Sequence, residues 1–397
     1  MGVPYINTGT AAPGAVWGTP PSAGQTLVAP WGGTKLADVI SLPNYAAVVA
    51  EAIHERSQLL RSGVVVRNSA LDARSGGTTV TVPTWRSINP IEESIESNNT
   101  WGQSKGGYLT PQRVTAVTQV CPILHRGFAF AADDISMMAM GVDPLNHLRM
   151  QIADAVNKVK ETALFGMLTG LFGSTATGVA KLTVSVANAT NAAPTAANFP
   201  SVASVIAAKA ALGERGDELR VIAMNSACYY YLQQTGMLTF SSDSLSTGQG
   251  IKWGGGGVGI TDASVAYFAG MRVVVSDNIK ALTKAEATAA GAGTVATGAQ
   301  TIYPIYMFSD AALAEGVQQE MRIEADRNIL SKESVVSVDY HYGYHLFGFT
   351  WLGAAGAATD NAAITNPTNW GLAVSDVRNA GAVRLLAQTP FDATKYA

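Results

Sequence analysis

The chain has 397 residues, a formal net charge of -3, and 14% charged against 47% hydrophobic residues. That length allows two or three domains with an ample core, and the charge balance excludes a broadly basic nucleic-acid-binding surface. A charged fraction far below the usual quarter gives a monomer a charge-poor surface, which favours association with copies of itself.

The two cysteines, Cys121 and Cys228, stand far apart and in no motif, which excludes a disulfide framework and fits a reducing compartment. The opening MGVPYINTGTAAPG has neither the basic nor the apolar region of a secretory signal. No run of about 18 apolar residues predicts a membrane span. The expectation is a protein made and used in the cytosol.

Residues 1–41 are rich in Gly, Pro, Ala and Thr and almost uncharged before Lys35 and Asp38, which predicts an extended arm. In LPNYAAVVAEAIHERSQLLRSG, Pro43 suits a first helical turn, Tyr45, Val48, Val49, Ala52, Ile53, Leu59 and Leu60 recur at helical spacing, and Ser62-Gly63 ends the helix. From Val64 to Ala131 the texture is β: VVVRN, TTVTVPTW and RVTAVTQVCPILHRGFAFA. The polar stretch between the last two predicts a long two-stranded excursion from a globular body, marginal unless something outside its domain steadies it.

DPLNHLRMQIADAVNKVKETALFGMLTGLFG follows, with Asp143 as N-cap and Pro144 at the first helical position. Leu145, Leu148, Ile152, Ala155, Val159, Ala163 and Met167 make one apolar stripe, predicting a helix of about 40 Å. Residues 180 to 200 read as an Ala/Thr/Asn loop. Next come helix FPSVASVIAAKAALGERG, strand LRVIAMN, helix SACYYYLQQTG and strand MRVVVSDN, then KAEATAAGAGTVATGAQ, read as a surface loop. Helices and strands interleave without a repeat, so the fold class is α+β.

Four catalytic or metal patterns fail on context. Gly102-Gln103-Ser104-Lys105-Gly106 matches a nucleophile elbow, but SNNTW before it is no apolar strand and GYLTP after it is no helix. Gly254, Gly256 and Gly259 satisfy G-x-G-x-x-G, with Asp277 as ribose-binding acid, but SDSLSTGQGIKWG before them is not a strand. This Gly254–Gly259 loop is the basis of the rival reading, a nucleotide-dependent enzyme. Ser276-Asp277-Asn278 lacks its partner motifs and reads as a strand turning into a loop, while His54 lacks the second histidine of a zinc signature because Gln58 stands there.

DYHYGYHLFGFTW carries His341 and His345 four positions apart, the spacing of one helical face. Its β-branched and aromatic density predicts a central strand instead, filled by Tyr342, Tyr344, Phe347, Phe349 and Trp351. There the two imidazoles lie about 13 Å apart along the chain, beyond reach of a shared ion whose Zn–N bonds are about 2.0–2.1 Å. His125 is read as a packing or polar-contact residue and His147 as a surface or packing residue. No catalytic, cofactor or metal site is expected.

An uncharged arm, a helix, a β excursion, one very long helix, an α/β body and a late aromatic strand, in that order, resemble the major capsid proteins of tailed bacteriophages. Their fold, the Hong Kong 97 type, is shared with herpesvirus shells and encapsulins, and the likeness runs from about Leu42 to Gln388. NPTNW…VSDVRNAGAVRLL is similar to the C-terminal segment of one capsid subgroup. The resemblance implies an arm and helix (1–63), an extended loop (64–125), a peripheral domain (126–199 and 326–353) with a spine helix (143–172), an axial domain (200–325) and a C-terminal segment (354–397).

It further implies a non-enzymatic shell subunit, forming hexamers and pentamers of an icosahedral head in the host cytoplasm and remaining in the virion. Portal, scaffold or decoration proteins would be its partners, with packaged double-stranded DNA touched without sequence specificity, and no cofactor or membrane. Glu92, Glu93, Glu96 and Lys105 near the loop tip are candidates for inter-subunit ion pairs, or equally a solvated acidic turn. An encapsulin-like compartment is the alternative on the same fold. An outer-membrane barrel is disfavoured by the long amphipathic helix.

Overall fold

A computed structural model describes residues 6–7, 27–28, 59–60, 62–72, 76–86, 88, 91, 111–134, 144–241, 265–329, 332–354, 360–392 and 394–396. The chain divides into two compact units, residues 55–124, 157–318 and 342–397 in one, and residues 1–54, 125–156 and 319–341 in the other.

The first unit is built on a seven-stranded sheet. Its order is Thr183–Ser185, Ala382–Ala387, Tyr303–Ser309, Leu219–Met224, Met271–Val275, Val265–Phe268 and Thr239–Ser241. The apolar runs LRVIAM and MRVVV pair in parallel, Arg272 against Val221 through Val275 against Met224, as near-continuous hydrophobic strands covered on both faces do. Asn225 caps the helix Ser226–Gln234 with its side chain, and Ser201 caps Val202–Ala210 in a reciprocal box.

The strand Ala382–Ala387 comes from the far C-terminal segment yet lies inside this sheet, with all six residues buried. Arg384 among them donates to the Phe172 carbonyl at 2.7 Å and lies over the Phe172 ring. The sheet thus gathers pieces that chain order assigns to three separate regions.

One expectation is corrected here. KAEATAAGAGTVATGAQ is not a surface loop: it contains the helix Lys284–Ala287, and Ala287, Ala290, Val295 and Ala299 pack with Leu282, Ile302, Leu386 and Tyr396. The cover is the chain's end. Tyr396 donates its hydroxyl to the Leu282 carbonyl and its N–H to the Ala299 carbonyl, and accepts from the Gly298 N–H. Small side chains let these segments approach closely.

The two-stranded excursion is present. Thr79–Trp85 pairs antiparallel with Ala116–Pro122, from Thr79 against Pro122 to Trp85 against Ala116. The long helix spans Pro144–Gly173, 30 residues, one position along from the expected bounds. Ile152, Ala163 and Met167 are buried as the stripe predicts, whereas Val159 is exposed. From Ala163 to Phe172 most of the helix is buried all round rather than along one stripe.

Gly170 explains one close approach. A Cβ there would lie 2.4 Å from the Ile364 carbonyl and 2.8 Å from the Trp370 indole nitrogen, which donates to that same carbonyl at 2.7 Å. The helix Asn361–Thr365 and strand Trp370–Leu372 therefore sit directly on the end of the long helix.

In the second unit, residues 333–341 of the strand Glu333–Leu346 lie between the far part of Leu313–Asn328 and the strand Leu124–Asp133. This matches the expected central strand. Val336, Val338 and Tyr340 are buried, and Asp339 on the opposite face accepts from Gln319 at 2.6 Å and Arg322 at 3.1 Å. Arg327 pairs with Asp134 at 2.5 Å. Further along the aromatic segment, within the first unit, Tyr342, Tyr344, Phe349 and Trp351 are buried, but Phe347 is exposed.

Candidate functional site: the ribbon and the anchor of the leading segment

Glu92, Glu93, Glu96 and Lys105 lie outside the described residues, as do Ser104, the Gly254–Gly259 loop, His54 and residues 8–26 and 29–58 of the leading segment. What is described is the ribbon leading to that tip. Beyond its last strand pair the two sides stay together: the Arg86 N–H donates to the Thr115 carbonyl at 2.9 Å. Gln112 donates to the Ile91 carbonyl at 2.9 Å and accepts from the Ile91 N–H at 3.3 Å, so one amide side chain imitates a rung of the ladder.

This stretch is unusually apolar for a solvated surface. Trp85 is 73% exposed, Ile88 71%, Ile91 71% and Val114 58%. Fully burying such a side chain contributes about 1.5–3 kcal/mol, so their clustering marks a surface that gains by being covered. Beside Trp85, at the far end of the strand pair, a 310 Å³ cleft opens between Trp85, Val117, Phe347, Val374 and Asn379.

His345 holds the middle of the strand pair. Its Nε2 lies 2.8 Å from Gln119 Oε1, which also accepts from the Gly348 N–H at 3.0 Å; Gln119 in turn donates to Thr84 at 3.1 Å. An oxygen accepting twice makes Nε2 the protonated nitrogen. Burial lowers the imidazole pKa to about 4, so the ring is neutral at physiological pH. His341 has a different partner, the ring of His125 at 4.5 Å between centroids. The strand separates the two histidines as their spacing requires.

A second constellation fixes the point from which the leading segment departs. Glu161, fully buried in the long helix, accepts from the Leu59 N–H at 2.8 Å and from Asn278 at 2.6 Å. The other end of the same turn is held by Arg272, which donates to the Ser62 carbonyl. Ser276-Asp277-Asn278 is the strand-end turn it was read as, with Asp277 accepting from the Ser226 N–H. Burial pushes the Glu161 pKa upward against hydrogen bonds from Leu59, Asn278 and Ser276 that lower it.

Glu161 was not singled out in the sequence, although a carboxylate followed by an all-round apolar helix was its signal. The Gly166-x-x-x-Gly170 spacing, which marks a close backbone approach, was equally readable. Both cysteines are fully buried, which raises each thiol to about 12 and leaves them inert. Among the described residues no three His, Cys, Asp or Glu side chains form a metal-holding group, and no helix is long and apolar enough to cross a membrane.

The fold recurs in solved structures. The chain covers 89% of itself and 98% of a subunit in the capsid asymmetric unit of cyanophage Pam1, at TM-score 0.54 and 13% identity. For the capsid of Ralstonia phage GP4 the shares are 88% and 95%, at TM-score 0.54 and 11% identity. This is the tailed-phage capsid fold. In sequence, the chain is 24% identical over 345 residues to the major capsid protein of Bacillus phage SPP1, spanning 85% of this chain and 93% of that one. No family model matches.

Proposed function

We propose that this chain is the structural subunit of an icosahedral phage head, assembling with copies of itself into a shell around double-stranded DNA. The observation that carries this is the near-complete overlap with capsid subunits, joined to a ribbon whose end exposes Trp85, Ile88 and Ile91. Standard interfaces bury about 1,200–2,000 Å² in all, and the exposed apolar end of the ribbon can supply its share by lying on a neighbour. The role is structural rather than enzymatic. Buried, high-pKa cysteines and a neutral, hydrogen-bonded His345 support that reading, since none is poised as a nucleophile or base.

On this reading residues 1–63 lie across adjacent subunits, with the turn at Leu59–Ser62 as their fixed origin. Glu92, Glu93, Glu96 and Lys105 meet opposite charges on those neighbours. Hexamers and pentamers form in the host cytoplasm and take on portal, scaffold or decoration proteins, and the slightly acidic chain lets packaged DNA lie without tight, salt-dependent phosphate contacts. Negative-stain electron microscopy of the expressed chain tests the assignment. Closed icosahedral particles are expected, and uniformly dispersed monomers at high concentration would overturn it.

A further inference from the structure

The strand pairing that separates His341 from His345 brings His341 to a histidine 216 positions earlier. His125 and His341 lie on neighbouring strands, their ring centroids 4.5 Å apart and their planes 86° apart. Two residues along, a Cβ on Gly127 would lie 3.4 Å from Asp339 Cβ. His125 opposite His341 and Gly127 opposite Asp339 make the strands antiparallel, with both imidazoles on the face of the Asp339 carboxylate. The geometry points to His125 and His341 as a two-imidazole site for a divalent late transition ion, Zn²⁺ being the probe ion, with water completing the shell.

Distance supports this chemistry. Zn–N bonds of about 2.0–2.1 Å and a tetrahedral angle place two ligating ring centres roughly 5 Å apart. The observed 4.5 Å is close to that separation. His125 is exposed and His341 half-buried, so an ion can arrive from solvent. Asp339 is engaged by Gln319 and Arg322, so its carboxylate is not counted as a third ligand. Bound metal would bridge the two strands and stiffen this unit.

Calorimetric titration of Zn²⁺ into the purified full-length chain near neutral pH tests the site. One ion per chain is expected, with affinity at least tenfold weaker in His125→Gln and in His341→Gln. His125 is exposed, so its variant keeps the test valid if the His341 variant fails to fold. Absence of binding by the wild-type chain, or unchanged binding by the double variant, would overturn the assignment.

Discussion

Two buried side chains carry opposite kinds of pH dependence. The His345 imidazole stays neutral down to about pH 4 in the fold, whereas an unfolded histidine takes up its proton near 6.5. Its contribution is complete above about pH 6.5 and is lost as pH falls from there to about 4, a swing of about 3 kcal/mol. Equilibrium denaturation across that range should show the loss, and His345→Gln, which can still donate to Gln119, should flatten it. Glu161 behaves differently. Its raised pKa means the folded chain binds a proton before the unfolded one, so its charge weighs against stability at neutral pH and less as pH falls. Its hydrogen bonds still matter, because Glu161→Ala strands the Leu59 N–H and the Asn278 amide in the interior. Urea unfolding should register about 1–3 kcal/mol for each group left unsatisfied.

At the scale of elements, the long helix and the ribbon were legible, because each rests on local signals. Pro144 at the first position and apolar residues at helical spacing gave the helix, and β-branched runs flanking a polar stretch gave the ribbon. The packing of Ala287, Ala290, Val295 and Ala299 was not legible, since it depends on Tyr396, about a hundred residues away. The pairing of His341 with His125 was hidden in the same way, because only the strand register brings them together. Gly170 belongs at this scale too. Gly170→Ala forces a methyl group against a backbone carbonyl that has no room to yield, and thermal unfolding should show a cost of about 1–3 kcal/mol. On the ribbon, Trp85→Ser with Ile88→Ser should leave the melting temperature of the isolated chain nearly unchanged. Particle yield, measured by sedimentation, should fall sharply, because these side chains touch water until a neighbour covers them.

For the whole molecule, sparse charge and outstretched segments describe a polypeptide whose burial is completed by assembly. Deletion of residues 1–41 should leave the two units folded by circular dichroism while particles fail to form or form with altered size. The most direct measurement is amide hydrogen exchange, comparing dispersed chain with assembled particles. The account predicts that the amides of Arg86, Ile88 and Ile91 and of residues 112–115, on the exposed ribbon end, exchange fast in the dispersed chain and slow down on assembly, while those of Leu219–Met224 and Ala382–Ala387 stay protected in both. Equal protection of the ribbon end in both states would mean that no neighbour covers it, and would contradict the account.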